Sequence, residues 1–257
     1  MTWSNIQKWV VRYADNKDVD LNEFAKYIAC GDVCERTTDG ENSALHFAAV
    51  GEASTTLEFL LNIVPKRSIN SPNKNGETPL HWACRSGTLS NIKALLDAGA
   101  NPRCVDYSDN NILHFAVEGG NEPAVSLIIK KNFCDLNASN SEGLTPLASA
   151  CEEGESAIVK SLIKNGASPV ALLRKFVAEN EPKMVKRLVK GCSKNVYIDK
   201  ENKQNPLHYA VAHNQYEVAK ILLKLNANWL HETDNSGNTP KNLLPEKAKS
   251  RLARLLA

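Results

Sequence analysis

The chain has 257 residues, 42% hydrophobic and 23% charged, with a formal net charge of +2; this balance fits a folded, soluble chain and excludes a disordered or collagen-like one. Near-neutrality also removes any whole-chain argument for nucleic acid or an anionic membrane as partner. Seven scattered cysteines without a C-x-x-C pair read as reduced thiols. The first residues lack the apolar core of a signal peptide, and no apolar run reaches the ~18 residues of a membrane span.

In chain order, Ile6, Trp9, Val10 and Tyr13, then Leu21, Phe24, Ala25 and Ile28, recur at helical spacing. Residues 1–38 are therefore expected to form an N-terminal helical cap. From residue 39 the chain becomes periodic. The segment Glu77–Ala100 contains the unit in its clearest form: Thr78-Pro79 opens a helix, Leu80, Ala83 and Cys84 form a narrow apolar stripe, and Gly87 ends it. Ile92, Leu95 and Leu96 then form a second stripe ahead of Gly99, which sits where a left-handed helix cap belongs.

The same skeleton returns at Ser43–Ala49, Asn111–Val117, Thr145–Cys151 and Asn205–Val211. Equivalent positions are His46, His81, His114, Ala148, Arg174 and His208, at intervals of 35, 33, 34, 26 and 34. With its T-P-L-H opening, paired leucines and G-A ending, the unit resembles the ankyrin repeat family over most of the chain. The resemblance implies an all-α repeat solenoid of helix-turn-helix pairs with short β-hairpin fingers, about six repeats plus terminal caps. Repeats would span 39–228, and 229–257 would form a C-terminal capping repeat.

The individual repeats depart from the pattern in ways that predict their local structure. Asp109 stands where a finger glycine would be and Asn214 where a first-helix glycine would be; both residue types tolerate positive φ. The interval of 26 predicts that repeat five, at about 170–194, keeps two helices but lacks its finger, giving a local break and an altered groove.

The fold implied by the resemblance accounts for most chemistry-bearing residues. Four histidines at one repeat position are assigned to hydrogen bonding around the finger and helix start rather than to metal, because one residue per successive repeat cannot converge on one ion. Cys84, three residues after His81, occupies a small-residue core position, so a Cys–His hydrolase is disfavoured and no catalytic residue or cofactor is assigned. Phe47, Trp82, Phe115 and Tyr209, each following the histidine position, are read as packing between first helices.

Candidate protein-binding residues are those the repeat leaves free on finger tips and at the ends of first helices: Lys74, Asn75, Glu77, Arg85, Ser86, Tyr107, Ser108, Asn110, Glu118, Glu142, Leu144, Glu152 and Glu153. Asp135–Glu155 contains five acidic and no basic residues, whereas Arg174–Lys203 contains nine basic and four acidic ones. Within the basic block, Arg174, Lys175, Lys183, Lys186, Arg187, Lys190 and Lys194 could meet phosphates, but no interleaved aromatics or nucleic-acid motif accompany them, and nucleic acid is disfavoured. The expected function is non-catalytic recognition of a partner protein on a concave surface, by a monomer in the cytoplasm, or in the nucleus or a host cell. The alternative is a targeting or regulatory subunit of an enzyme, or a secreted effector of an intracellular microbe acting on host proteins.

Overall fold

The computed structural model describes residues 36–37, 40–52, 54–190, 198–199, 201–245 and 250–257. The N-terminal cap expected over 1–38 lies almost wholly outside these residues, as does Lys194. The chain divides into two compact units, Met1–Ser149 and Ala150–Ala257. Among the described residues the regular structure is helical, with isolated β-bridges at Arg36–Ser43 and Val105–Asn111 and no strand. The expected fingers therefore take the form of closed turns.

In the first unit, α1 (Ala44–Val50), α3 (Pro79–Ser86) and α5 (Ile112–Glu118) are first helices, and α2 (Ser54–Ile63), α4 (Leu89–Asp97) and α6 (Glu122–Lys131) are second helices. First helices pack on their neighbours, α1 on α3 and α3 on α5, and each also packs on the second helix of its own repeat. The predicted stripes form the seam: Leu80, Ala83, Cys84, Ile92 and Leu95 are buried. Small side chains at Ala48, Ala83 and Ala116, all fully buried, let adjacent first helices approach closely.

Helix α7 (Pro146–Glu153) contains the division between the units. In the second unit follow α8 (Ser156–Lys164), α9 (Val170–Ala178), α10 (Pro182–Val189), α11 (Pro206–Ala212), α12 (Tyr216–Leu225) and α13 (Ser250–Leu255). The two stripes expected in repeat five are present, with Leu173, Phe176 and Val177 buried on α9 and Val185, Leu188 and Val189 on α10. Where its finger is missing, a cavity of about 690 Å³ opens, lined by Ile163, Ala167, Pro169, Val170, Arg174 and Glu201 among others.

The finger turns follow a rule that the sequence reading missed. In the fingers that begin at 73, 106, 140 and 234 the first residue is Asn or Asp, and its side-chain oxygen accepts backbone N–H groups two and four residues later; at Asp199 only the first of these bonds is made by the side chain, and the finger at Thr37 is closed by a hydroxyl instead. Asn73 takes those of Asn75 and Glu77, Asp106 those of Ser108 and Asn110, and Asn140 those of Glu142 and Leu144. Asp234 takes those of Ser236 and Asn238 in the same way. Asx residues at 73, 106 and 140, spaced 33 and 34 apart, were the available signal.

Asp109 and Asn214 adopt φ of 60° and 54°, as their residue types suggested. Lys203 was not anticipated: it occupies the same left-handed region at φ 56°, where a β-carbon is disfavoured. Lys203→Gly is expected to stabilise the chain by ~1 kcal/mol, read as a higher urea midpoint; a lower midpoint would show that the lysine side chain itself is needed.

Candidate functional site

The histidines are structural pins with a fixed tautomer. Nδ1 of His46, His81, His114 and His208 accepts the backbone N–H of its helix N-cap, Ser43, Thr78, Asn111 or Asn205, at 3.0–3.3 Å. The proton must then sit on Nε2, which donates to the next finger: to the Glu77 carbonyl from His46 (2.9 Å), Leu144 from His114 (3.1 Å) and Asn238 from His208 (3.0 Å). His81 bonds the Asn110 backbone in the same manner. Burial holds His46 and His81 down at about 4 and lowers His114 as well.

The two departures at this position follow the same logic. Ala148 stands ahead of the missing finger, so the carbonyl its imidazole would have met does not exist. Arg174 stands ahead of the finger that begins at Asp199 and reaches it with a longer arm, pairing with the Asp199 carboxylate and the Tyr209 hydroxyl while stacking 4.6 Å over the Tyr209 ring. Tyr209 in turn donates to Asp199 at 2.9 Å. Arg187 is likewise engaged, donating to the Cys151 and Glu152 carbonyls at 2.9 and 2.8 Å. Both arginines of the basic block thus hold the fold, which weakens the phosphate reading further.

Cys84 does not approach the chemistry of a nucleophile. Burial pushes its thiol up, and the thiols of Cys104 and Cys134 are also raised, the latter to about 11. Cys104 is the sulfur next to the His81 ring, 3.8 Å from Nε2. A protonated thiol beside a neutral imidazole is the reverse of the thiolate–imidazolium pair that nucleophilic catalysis uses. Among the described residues no group of three or more His, Cys, Asp or Glu side chains could hold a metal ion, and no helix is long and apolar enough to cross a membrane.

In the first unit the fingers are joined edge to edge. Lys74 N–H donates to Gly40, Tyr107 N–H to Asn75 and Ser141 N–H to Ser108, each at 2.9 Å. Side chains reinforce the row: Asn73 donates to Asn42, Asn140 to Asn110 and Ser141 to Asp109. This leaves Lys74, Asn75, Tyr107, Ser108 and Glu142 exposed on finger tips held by backbone bonds. Tyr107 is the most exposed large hydrophobic residue described, at 73%. Its ring lies against Gly76, whose φ is +83° and whose place a β-carbon would occupy only at 2.6 Å from the ring.

Three of the candidate residues belong to the scaffold. Glu77 is 7% exposed; its Oε2 accepts from Asn73 Nδ2 and Trp82 Nε1, both at 2.7 Å. The expectation that it stands free is corrected, because Trp82, one turn into α3, reaches back and draws the carboxylate inward. Asn110 and Leu144 are half-buried, and their backbone groups receive the histidine pins.

Beside the fingers, Arg85 links repeats two and three. Its Nη2 is 2.8 Å from Glu118 Oε2 and 3.8 Å from Glu77 Oε1, and its guanidinium lies 4.6 Å over the Phe115 ring. Phe115 is buried, as the packing assignment required, whereas Phe47 and Trp82 are half-buried and meet edge to face at 5.7 Å. Val50, Trp82, Arg85 and Ser86 line a depression of about 270 Å³. Val50, 45% exposed, was missed although it was legible, since it lies four residues after His46 as Arg85 does after His81.

Glu152 and Glu153, in the second unit, are exposed. Glu152 borders a depression of about 310 Å³ with Lys175, Lys183, Met184 and Arg187.

A family model described as ankyrin repeats (3 copies) matches residues 12–106, 101–172 and 173–243. The chain belongs to the ankyrin repeat family. The human ASB11 ankyrin repeat domain has the same fold, with a TM-score of 0.56, 24% identity and coverage of 99% of this chain and 97% of that one. Among curated proteins, the human transient receptor potential cation channel subfamily A member 1 is 25% identical over 74% of this chain and 18% of its own length. Human Rabankyrin-5 is 28% identical over 72% of this chain and 15% of its own. The phosphocholine transferase AnkX of Legionella pneumophila is 37% identical over 46% of this chain and 13% of its own. This ankyrin chain thus spans less than a fifth of each of these relatives.

Proposed function

We propose that this ankyrin chain is a non-catalytic recognition module that binds a partner protein across its finger tips and first-helix ends, the concave side implied by the family, with Tyr107 at the centre of the first unit's contact. The observation that carries this reading is an aromatic ring 73% exposed on a backbone pinned to the neighbouring finger by Tyr107 N–H to Asn75. Little order would have to be imposed on such a side chain when a partner arrives, and tyrosine and arginine are over-represented among residues that dominate interface energy. Free cysteines at Cys84, Cys104, Cys134 and Cys151 suit a reducing compartment, cytoplasmic or nuclear.

The test is affinity capture from the native lysate with the wild type and with Tyr107→Ala combined with Arg85→Ala. Arg85's close ion pair, with Glu118, is exposed and worth roughly 0–1 kcal/mol, and Glu77 keeps its bonds to Asn73 and Trp82, so the double variant is expected to keep its helical circular dichroism. A protein recovered by the wild type should be reduced at least ~10-fold with the variant; undiminished recovery would overturn the site.

A second reading is favoured by the 37% identity to a segment of the Legionella phosphocholine transferase: the module would direct an enzyme to its substrate, the activity residing outside the repeats. It predicts that an enzyme co-purifies with this chain, and co-purification that survives the Tyr107→Ala, Arg85→Ala pair would place the enzyme's contact elsewhere.

A further inference from the structure

From Val105 to Ser149 the chain carries a charge asymmetry between its faces. Between Val105 and Ser149 the basic residues are Lys130 and Lys131 alone, and both close the last turn of α6, a second helix. The fingers and first helices of that stretch carry Asp109, Glu118 and Glu142, all exposed, with His114 held neutral by burial. On its finger and first helix the neighbouring repeat adds two cations, Lys74, exposed on the finger tip, and Arg85, whose guanidinium already faces both Glu118 and Glu77, so the acidic excess lies at Asp109, Glu118 and Glu142. Glu118 has a side-chain exposure of 55% and is bonded to Arg85 through Oε2, so its carboxylate keeps acceptor capacity for a further donor.

Against this acidic strip, in contact with it through Arg85, lies the depression formed by Val50, Trp82, Arg85 and Ser86. Its volume of about 270 Å³ falls below the ~300–1,000 Å³ of small-molecule pockets and suits a single side chain. Its walls are the exposed Val50 and the half-buried indole of Trp82, whose Nε1–H is taken by Glu77, leaving an apolar ring surface toward the depression.

We propose that this face receives a basic peptide segment of the partner, seating one aliphatic side chain between Val50 and Trp82 and turning lysine or arginine side chains toward Glu118 and Glu142. The inference rests on the recognition function above and adds the chemistry of what is recognised. Complementary charge steers encounter and fixes register, while the apolar anchor supplies affinity. An acidic segment would meet Glu118, Asp109 and Glu142 with like charge, and a nucleic-acid backbone would meet the same repulsion.

A phage-displayed library of random dodecapeptides selected on the whole chain tests this directly. Enriched peptides should carry an excess of lysine and arginine around Leu, Ile, Val or Met. As synthetic peptides they should lose about tenfold or more in affinity with Val50→Glu, and also with Glu118→Lys combined with Glu142→Lys, and should weaken with added salt. Charge-reversed copies of those peptides should prefer the doubly charge-reversed variant, a gain that a misfolded variant cannot give. Enriched peptides without a basic excess, or indifferent to the charge reversal, would overturn the proposal. If such peptides are nonetheless lost with Tyr107→Ala and Arg85→Ala, the face stands and only the chemistry is wrong. Peptides indifferent to every substitution on the face, or no enrichment, would remove both.

Discussion

Lowering the pH from 7.5 to 5 is expected to weaken the first compact unit by about 2 kcal/mol for each of His46 and His81, the cost of protonating a group whose folded pKa lies well below its unfolded value. Both imidazoles are buried, with Nδ1 accepting and Nε2 donating, and burial depresses them from 6.5 to about 4. Between those values the unfolded chain binds protons that the folded chain does not. The stabilising contribution is therefore complete above pH 6.5 and is lost progressively as the pH falls toward 4. His114 is shifted in the same direction and adds to the slope. Asp234, held below its ordinary 3.8 chiefly by the N–H of Asn238, responds only at lower pH. The measurement is the urea midpoint at pH 7.5, 6 and 5, for the chain and for His81→Gln. Glutamine can accept at the N-cap and donate to the finger but does not titrate, so that variant should show a shallower slope. A midpoint constant over this range would mean that the histidines are not held neutral.

Asn91→Ala should cost about 3 kcal/mol, since it strips hydrogen bonds from buried acceptors and leaves a small void. Asn91 sits in the first turn of α4, fully buried, and its Nδ2 donates to the carbonyls of Ala48 (3.3 Å), Ala49 (3.2 Å) and Gly51 (2.7 Å) at the end of α1. The last carbonyls of a helix have no partner within it, and here a second helix of the next repeat provides one. Asn91→Asp, similar in size but without the donor, should cost still more, because it sets an anionic oxygen against those carbonyls. Thermal or urea midpoints decide. A loss below ~0.5 kcal/mol for Asn91→Ala would show that water reaches the α1 end. The same service is performed by Asn121, whose Nδ2 donates to Arg85 at 2.6 Å, and in repeat five by Arg187. A β-carbon on Gly119 would come within 1.9 Å of the same Arg85 carbonyl, so the lock at α3 also depends on the absence of a side chain.

What could be read in the sequence was whatever the repeat states many times. The histidine register, the small-residue stripes, the left-handed Asp109 and Asn214, and the loss of one finger all follow from comparing equivalent positions along the chain. What escaped depends on contacts between different positions of adjacent elements. Glu77 looks like any other polar finger residue until Trp82 folds back on it. Arg187 looks like one more exposed cation in a basic helix until the end of α7 lies beside it. Val50 was overlooked for a simpler reason: its repeat deviates elsewhere, although its register matches Arg85. The finger turns were recognised by their glycines, yet at 73, 106, 140 and 234 it is the leading Asn or Asp that closes them.

The histidine pins also determine how the chain can be cut. Each imidazole finds its acceptor in the finger that follows, so a fragment ended between two regular repeats would strand an N–H in its last helix: stopping at Arg103 separates His81 from Asn110, and stopping at Ala138 separates His114 from Leu144. Ala148 is different, having neither imidazole nor following finger. A fragment ending in the Ser168–Pro169 junction, or one beginning there, would sever no histidine pin, although it would part Arg187 from the Cys151 and Glu152 carbonyls; a shortened expression product that keeps the pins whole is best placed there.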